Sequence, residues 1–416
     1  MQHASQPQAI PPHTPRRLHW LLASLCLGCL LHCVQAPLAT PPQAPPAAPQ
    51  APSPPHNPKL PTLRVGTSGD YAPYSLNGAG FDIEVAQRMA SDLGYQIEWV
   101  PFTWPTLTTA VTRQRFDIAM GGITWRPERA LLGTMTRAVH MDGPCELHLT
   151  GPSPAGPLRI GVNRGGFLEQ WTRGHFPNHP IHTVTDNNSL PELLASGQVD
   201  LIITDSSEAQ HFMRPNFVRH CHPPRNRKVY WVTTAAPPQL AANVDHWLAT
   251  HEATLSALRH TWLKQSRPWT PTQHLIDLLG RRLALMPAVA ASKRTTGTPI
   301  ADPAREQVVI SQALEASEQV GLNKDSVRAL FTLQIQLAKA IQKRGPSWQG
   351  PAPDLKQQLR PTLSQLGSRI VMALSEASAE LPMLTLADLD LLAPWLTDNE
   401  RAALLNALQQ VRLQAP

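Results

Sequence analysis

Arg282 and Lys293 stand eleven residues apart. That is close to three helical turns, so on a helix both side chains face one way. They then lie roughly 16 Å apart along the axis, and two long side chains leaning inward bracket a small anion. Arg305 sits on the next helical segment and Arg369 on a later one. Four cations in one pocket are costly unless a multiply charged anion occupies it. A second set of residues can do acid chemistry. Asp205 and Glu208 follow the apolar run Leu201–Thr204, and Thr124 and Arg129 follow the apolar run Phe116–Met120. A carboxyl group can donate a proton near neutral pH only if burial raises its pKa.

The elements that position these residues divide the chain. From 62 to about 264, strands and helices alternate. Leu63–Thr67, Ile97–Val100, Phe116–Met120, Leu158–Val162 and Leu201–Thr204 read as strands. Phe81–Leu93, Trp104–Arg113 and Val244–Leu263 read as helices. This alternation predicts an α/β fold with largely parallel sheets. In such a fold a ligand is expected at the strand ends, where loops and helix N-termini converge. After Pro268-Trp269-Thr270-Pro271 the strand pattern ends, and residues 272–416 read as all-helical. Ala304–Val320, Lys324–Lys343 and Leu355–Glu380 have helical spacing. Asp302-Pro303 is a helix start, and Gly321 and Gly345 sit at helix ends. The expected architecture is therefore multidomain, α/β followed by all-α.

The N-terminal region reads as an address. Arg16 and Arg17 precede an apolar run from Leu18 to Val34, and Val34-Gln35-Ala36 offers a small-residue cleavage site. Residues 1–36 thus form a secretory signal, with an uncleaved inner-membrane anchor as the alternative because Pro37 opposes cleavage. Residues 37–61 hold eleven prolines and read as an unpacked spacer. Cys26, Cys29 and Cys33 fall within the apolar run, which leaves Cys145 and Cys221 for the rest of the chain. In an oxidising compartment these two could pair, though their number alone does not establish it. The 416 residues carry a net charge of +6. Lys and Arg are scattered with no aromatic-plus-basic stripe, so nucleic acid is not an expected partner.

Four strings in the first half, GTSGDYAPYS (66–75), GFDIEVAQRMASDLG (80–94), FTWPTLTTAVTRQRFDIAMGGITWRPERA (102–130) and VDLIITDSSEA (199–209), carry a resemblance. Together they resemble the exported cyclohexadienyl (prephenate/arogenate) dehydratases, built on the two-lobed periplasmic solute-binding-protein fold. The resemblance covers 62–264. It implies that Arg129 anchors a substrate carboxylate with help from Thr124, and that Trp104 forms an apolar wall. It makes Glu208 the acid that protonates the departing ring hydroxyl, while Asp205 holds polar substrate groups. The chain departs from the family at Asp142-Gly143-Pro144, where Asp-Gly-Lys is usual. A second departure is Gly165-Gly166-Phe167-Leu168, where Gly-Gly-Thr-Asn is usual. A non-catalytic solute-binding module is therefore the alternative for this half.

In the second half, PIADPAREQVVI (299–310) and FTLQIQLAKAIQ (331–342) resemble the AroQ-type chorismate mutases, particularly the secreted subclass, over 272–416. The resemblance implies that Lys293 and Gln342 donate to the ether oxygen of chorismate. It further implies that Arg282, Arg305 and Arg369 grip its carboxylates, and that Asp302 and Glu306 take the ring-hydroxyl side. Ala338 stands where a serine or threonine is common, and Val309 where a glutamine can occur. The reading is a periplasmic double enzyme acting on chorismate and then on prephenate or arogenate, without a cofactor. A homodimer through the helical half is compatible with it.

No Walker loop, nucleophile elbow or dinucleotide fingerprint is present. His175, His179 and His182 are loosely zinc-like, as is Cys221-His222, but their loop context and poor helical spacing make no metal site expected.

Overall fold

In a computed structural model of the chain, the described residues are 60–152, 154–265 and 268–414. The export signal and all but the last two residues of the proline-rich spacer lie outside them. Among the described residues no helix is long and apolar enough to cross a membrane.

The first half forms two lobes, each around a five-stranded sheet. In the first lobe the strand order is Gln96–Pro101, Thr62–Thr67, Ile118–Ala119, Trp231–Val232, Thr134–Met135. The first three strands are parallel, and Trp231–Val232 alone runs antiparallel to its neighbours on both sides. In the second lobe the order is Ile181–Val184, Ile160–Asn163, Leu201–Asp205, Pro144–Leu149, Phe217–Cys221. Here too the first three strands are parallel, and Pro144–Leu149 alone runs against its neighbours on both sides. The sheets are therefore mixed rather than largely parallel. The chain leaves the first lobe through His140–Asp142 and returns through Asn226–Lys228, and these two crossovers pair antiparallel. Gly143 lies between them, where a Cβ would stand 2.7 Å from the His222 carbonyl oxygen, so only glycine allows this approach. Cys145 and Cys221 face each other across the second sheet and are disulfide-bonded.

The expected helix Val244–Leu263 is interrupted. Leu240–Thr250 ends at His251, whose ring stacks on Trp247, and Glu252–Leu258 begins anew. Trp104–Thr106 is one tight turn that leads into the short helix Leu107–Thr112.

The second half is a helical bundle. Helix Pro271–Ala284 opens with a capping box formed by Thr270 and Gln273, and is buried continuously from Leu275 to Ala284. A buried helix of this kind is the axis of a bundle, and the apolar faces of Lys324–Lys343 and Arg360–Glu376 contribute to the same core. Asp302 caps Pro303–Gln319 and Asn323 caps Lys324–Lys343. Gly321 and Gly345 have φ of 67° and 65°, the left-handed conformation that glycine adopts beyond a helix end. The segment expected as one helix from Leu355 splits into a wide turn, Leu355–Leu359, and the helix Arg360–Glu376.

The bundle packs on the first lobe through buried charge. Arg281 pairs with Asp277 at 2.6 Å and donates to the Thr136 carbonyl at 2.7 Å. Arg227 from the return crossover binds the same Asp277, and both guanidinium groups lie beside Trp125.

Candidate active sites

In the bundle, one cavity of about 660 Å³, open mouth included, is lined by Arg282, Lys293, Asp302, Arg305, Glu306 and Gln342. Sequence spacing places Arg282 and Lys293 on one face. The structure achieves this with two consecutive helices, Pro271–Ala284 and Met286–Thr296, the second opening at Pro287. Arg282 donates to the Leu363 carbonyl at 3.1 Å, yet its buried Nε has no partner. Lys293 Nζ donates to the Ile300 carbonyl at 2.6 Å, and Arg305 donates to Ser364 Oγ at 2.8 Å. Burial, together with Arg305, lowers the Arg282 pKa to about 10. Burial likewise lowers Lys293 and Arg305, the latter with Arg360 adding to the effect. Crowded, partly desolvated cations of this kind favour a bound anion. Gln342 donates from Nε2 to the Ala338 carbonyl at 3.1 Å and, weakly, to the Met286 sulfur at 3.6 Å, which leaves its Oε1 unpartnered. The backbone at 338 thus steadies the amide where the family uses a hydroxyl.

One assignment is corrected. Arg369 does not join this cavity. It pairs with Asp245 at 2.7 Å and donates to the Met135 carbonyl at 2.7 Å, so it belongs to the contact with the first lobe. Its helix presents Arg360 to the cavity instead, nine residues earlier, where Arg360 binds Asp302 at 3.0 Å. Lys339 also lines the cavity and pairs with Glu306 at 2.9 Å. Neither cation is evident from the sequence, although Arg360 directly precedes Pro361, a helix-opening signal. Asp302 and Glu306 therefore balance the cations as well as facing the cavity.

Between the lobes, Glu208 is fully buried on the first turn of Ser206–Phe212. Asn187 Nδ2 and the Thr204 hydroxyl donate to its two carboxyl oxygens. Burial pushes its pKa up to about 8. The two hydrogen bonds and Lys228 pull it down, while Asp205 pushes it further up. Asp205 ends the strand Leu201–Asp205 and binds Lys228 at 2.6 Å. Lys228 also donates to Thr124 Oγ1 and to Tyr71 OH, both at 3.2 Å, and lies 5.3 Å from the Tyr71 ring centre. The Tyr71 hydroxyl reaches Asp205, and the Tyr74 hydroxyl reaches Asp142 at 2.9 Å, so hydrogen bonds cross from lobe to lobe. Trp104 stands edge-on to Tyr71 and to Phe102, half-buried. Arg129 is buried and donates to the Thr124 carbonyl at 3.0 Å. Burial lowers its pKa to about 10, and among the described residues it makes no ion pair.

Thr124, Asp205 and, through Tyr71, Trp104 are thus brought together, with Arg129 held beside Thr124. Lys228 was missed by sequence reasoning because it sits on a three-residue strand far from the quoted strings. Tyr71 and Tyr74 lie within GTSGDYAPYS and were legible as part of that string.

Comparison with known proteins agrees with both halves. Residues 63–265 match the family of bacterial extracellular solute-binding proteins, family 3, and residues 272–343 match chorismate mutase type II. A cyclohexadienyl dehydratase of Pseudomonas aeruginosa is 34% identical over 163 residues, covering 36% of this chain and 60% of that protein. A secreted chorismate mutase of Yersinia pestis is 33% identical over 108 residues, covering 24% of this chain and 56% of that protein. The chain thus spans under two thirds of the length of these two relatives. A crystal structure of an ancestral amino acid-binding protein, described as a precursor of cyclohexadienyl dehydratase, is 28% identical. It covers 49% of this chain and 95% of its own, with a TM-score of 0.45.

Proposed function

We propose that this chain, in which a family 3 extracellular solute-binding domain is joined to a type II chorismate mutase domain, carries out two consecutive reactions. The helical half rearranges chorismate to prephenate. The two-lobed half then converts prephenate to phenylpyruvate, or arogenate to phenylalanine, by decarboxylative dehydration.

The observation that carries the first step is the single cavity shared by Arg282, Lys293, Arg305, Arg360 and Gln342. Chorismate has two carboxylates, which the three arginines can hold. The rearrangement is unimolecular, so catalysis consists of holding the compact conformer and stabilising charge on the ether oxygen. Lys293 serves that oxygen together with the Gln342 amide, which exchanges its weak bond to the Met286 sulfur for one to substrate. Dimerisation through the helical half is part of this reading.

Support for the second step comes from Glu208. With a pKa near 8 it is protonated at neutral pH and can give its proton to the ring hydroxyl. As the ring carboxylate leaves as carbon dioxide, its bonding electrons enter the ring, the hydroxyl departs as water, and the ring becomes aromatic. Solvent then returns a proton to Glu208. Arg129 holds the side-chain carboxylate, and Lys228 supplies a buried cation in a site whose usual family lysine is replaced by Pro144.

Export to the periplasm belongs to the same reading. The Cys145–Cys221 disulfide fits an oxidising compartment, and the matching family is extracellular.

The test is to give the full chain chorismate and then prephenate, with two variants. Arg282→Ala should lose the first step and keep the second, and Glu208→Gln should do the reverse. A variant pattern in which both steps are lost together, or neither, contradicts the assignment of one site to each half.

A further inference from the structure

The two cysteines bring a second chemistry with them. Glu146 follows Cys145 on the strand Pro144–Leu149, and His222 follows Cys221 at the end of Phe217–Cys221. The strands pair with Cys145 opposite Cys221, and the disulfide fixes that register. Glu146 and His222 are diagonal neighbours in that register, with His222 Nε2 2.6 Å from Glu146 Oε1. His175, the last residue of Phe167–His175, closes the group, its ring 5.1 Å from that of His222. One ligand atom from each of the three residues lies within 4.8 Å of the others. Trp171, one turn before His175, stacks on its ring at 4.5 Å and 12° and also meets His222 at 4.8 Å. The indole thus orients both imidazoles.

We infer that Glu146, His175 and His222 form a binding site for a divalent transition-metal ion of the zinc class. Two imidazoles and a carboxylate are a borderline-soft donor set that suits zinc rather than calcium or magnesium. Tetrahedral zinc, with bonds of about 2.1 Å, places its ligand atoms roughly 3.4 Å apart. Reaching that spacing needs a shift of roughly 1 Å, which the exposed side chain of His175 can make by changing rotamer. Three protein ligands leave a fourth position for water. His220 is close by, its ring 5.2 Å from that of His222.

The site lies where the lobes join. Glu146 is two residues beyond the start of its strand at Pro144, just after the outgoing crossover, and His222 opens the returning segment. A metal there ties the strand Pro144–Leu149 and the end of Phe217–Cys221 to the helix Phe167–His175 and stiffens the second lobe beside its crossovers. Linear spacing hides this site because sheet pairing sets Glu146 opposite His220, with His222 its diagonal neighbour. The other histidines of the cluster read from the sequence go elsewhere. His179 accepts the Leu158 N–H at 2.9 Å, and His182 lies on Ile181–Val184.

The test uses the full chain, stripped with a chelator and titrated with zinc chloride by calorimetry. Circular dichroism melts without zinc establish that each variant is folded. One zinc per chain is expected, with a rise in melting temperature on binding. Glu146→Gln, His175→Ala and His222→Ala should each weaken zinc binding by more than ~10-fold, the loss that removing even an outer partner causes. His182→Ala should bind as the wild type does. Absence of stoichiometric binding overturns the site. So does an affinity that the three variants leave unchanged, or that His182→Ala lowers equally, since either means adventitious binding to other histidines.

Discussion

Arg360 Nη2 lies 3.0 Å from Asp302 Oδ2, and this pair occupies the place that the sequence assigns to Arg369. The same carboxylate caps the helix Pro303–Gln319 through the Arg305 N–H. One residue therefore fixes the helix start and the orientation of a cation facing the cavity.

From that relationship follows the first expected outcome. Arg360→Ala should lower mutase kcat/KM by about 10- to 150-fold, the equivalent of about 1.5–3 kcal/mol for a lost charge-assisted hydrogen bond. Arg369→Ala should change it by less than about threefold, but should lower the melting temperature by releasing the bundle from Asp245 and the Met135 carbonyl. Steady-state kinetics and thermal melts on the two variants distinguish the roles.

Gln342 separates amide from carboxyl chemistry. An amide donates at any pH, so the mutase should stay active above pH 7. Gln342→Glu introduces a buried carboxyl that donates only while protonated, so its activity should fall as pH rises and its optimum should move to acid. A pH–rate profile for each protein makes the comparison. An unchanged mutant profile removes Gln342 from the chemistry.

For Glu208, the sign of the pH effect follows from burial. Its pKa rises from 4.5 to about 8 on folding, so the folded chain holds this proton more tightly than the unfolded chain. Its contribution to stability is fully present below pH 4.5 and is lost as pH rises to about 8. Relative to wild type, Glu208→Gln should therefore gain melting temperature as pH increases across that window. Dehydration by the wild type should decline above about pH 8, and the Gln variant should not dehydrate.

Lys228 and Asp205 form a buried ion pair, so removing one partner strands the other. Lys228→Met alone should cost about 3–5 kcal/mol in denaturant unfolding. Lys228→Met combined with Asp205→Asn should recover most of that loss while still failing to turn over prephenate. Recovery of both stability and turnover would assign Lys228 a purely structural part.

Some of this was legible in the sequence for physical reasons. The helices Pro303–Gln319 and Lys324–Lys343 carry their own start signals in Asp302 and Asn323, and left-handed glycines follow their ends. Arg282, Lys293, Arg305 and Gln342 converge because their helices pack by the same apolar faces that give the pattern. The strands Asn226–Lys228 and Trp231–Val232 are too short to show a period, and the antiparallel returns they belong to are set by partners far away in the sequence. Lys228 takes its meaning from such pairing alone. Arg369 was misplaced because helical spacing gives a face but not its neighbour. On Arg360–Glu376 that face meets the first lobe at Arg369 and the cavity at Arg360.

The most direct test of the double-enzyme reading is prephenate added alone to the full-length chain, with phenylpyruvate followed by its absorbance in alkali. Steady formation of phenylpyruvate is expected, abolished by Glu208→Gln. A chain that rearranges chorismate yet leaves prephenate untouched would show the two-lobed half to be a binding module and not an enzyme.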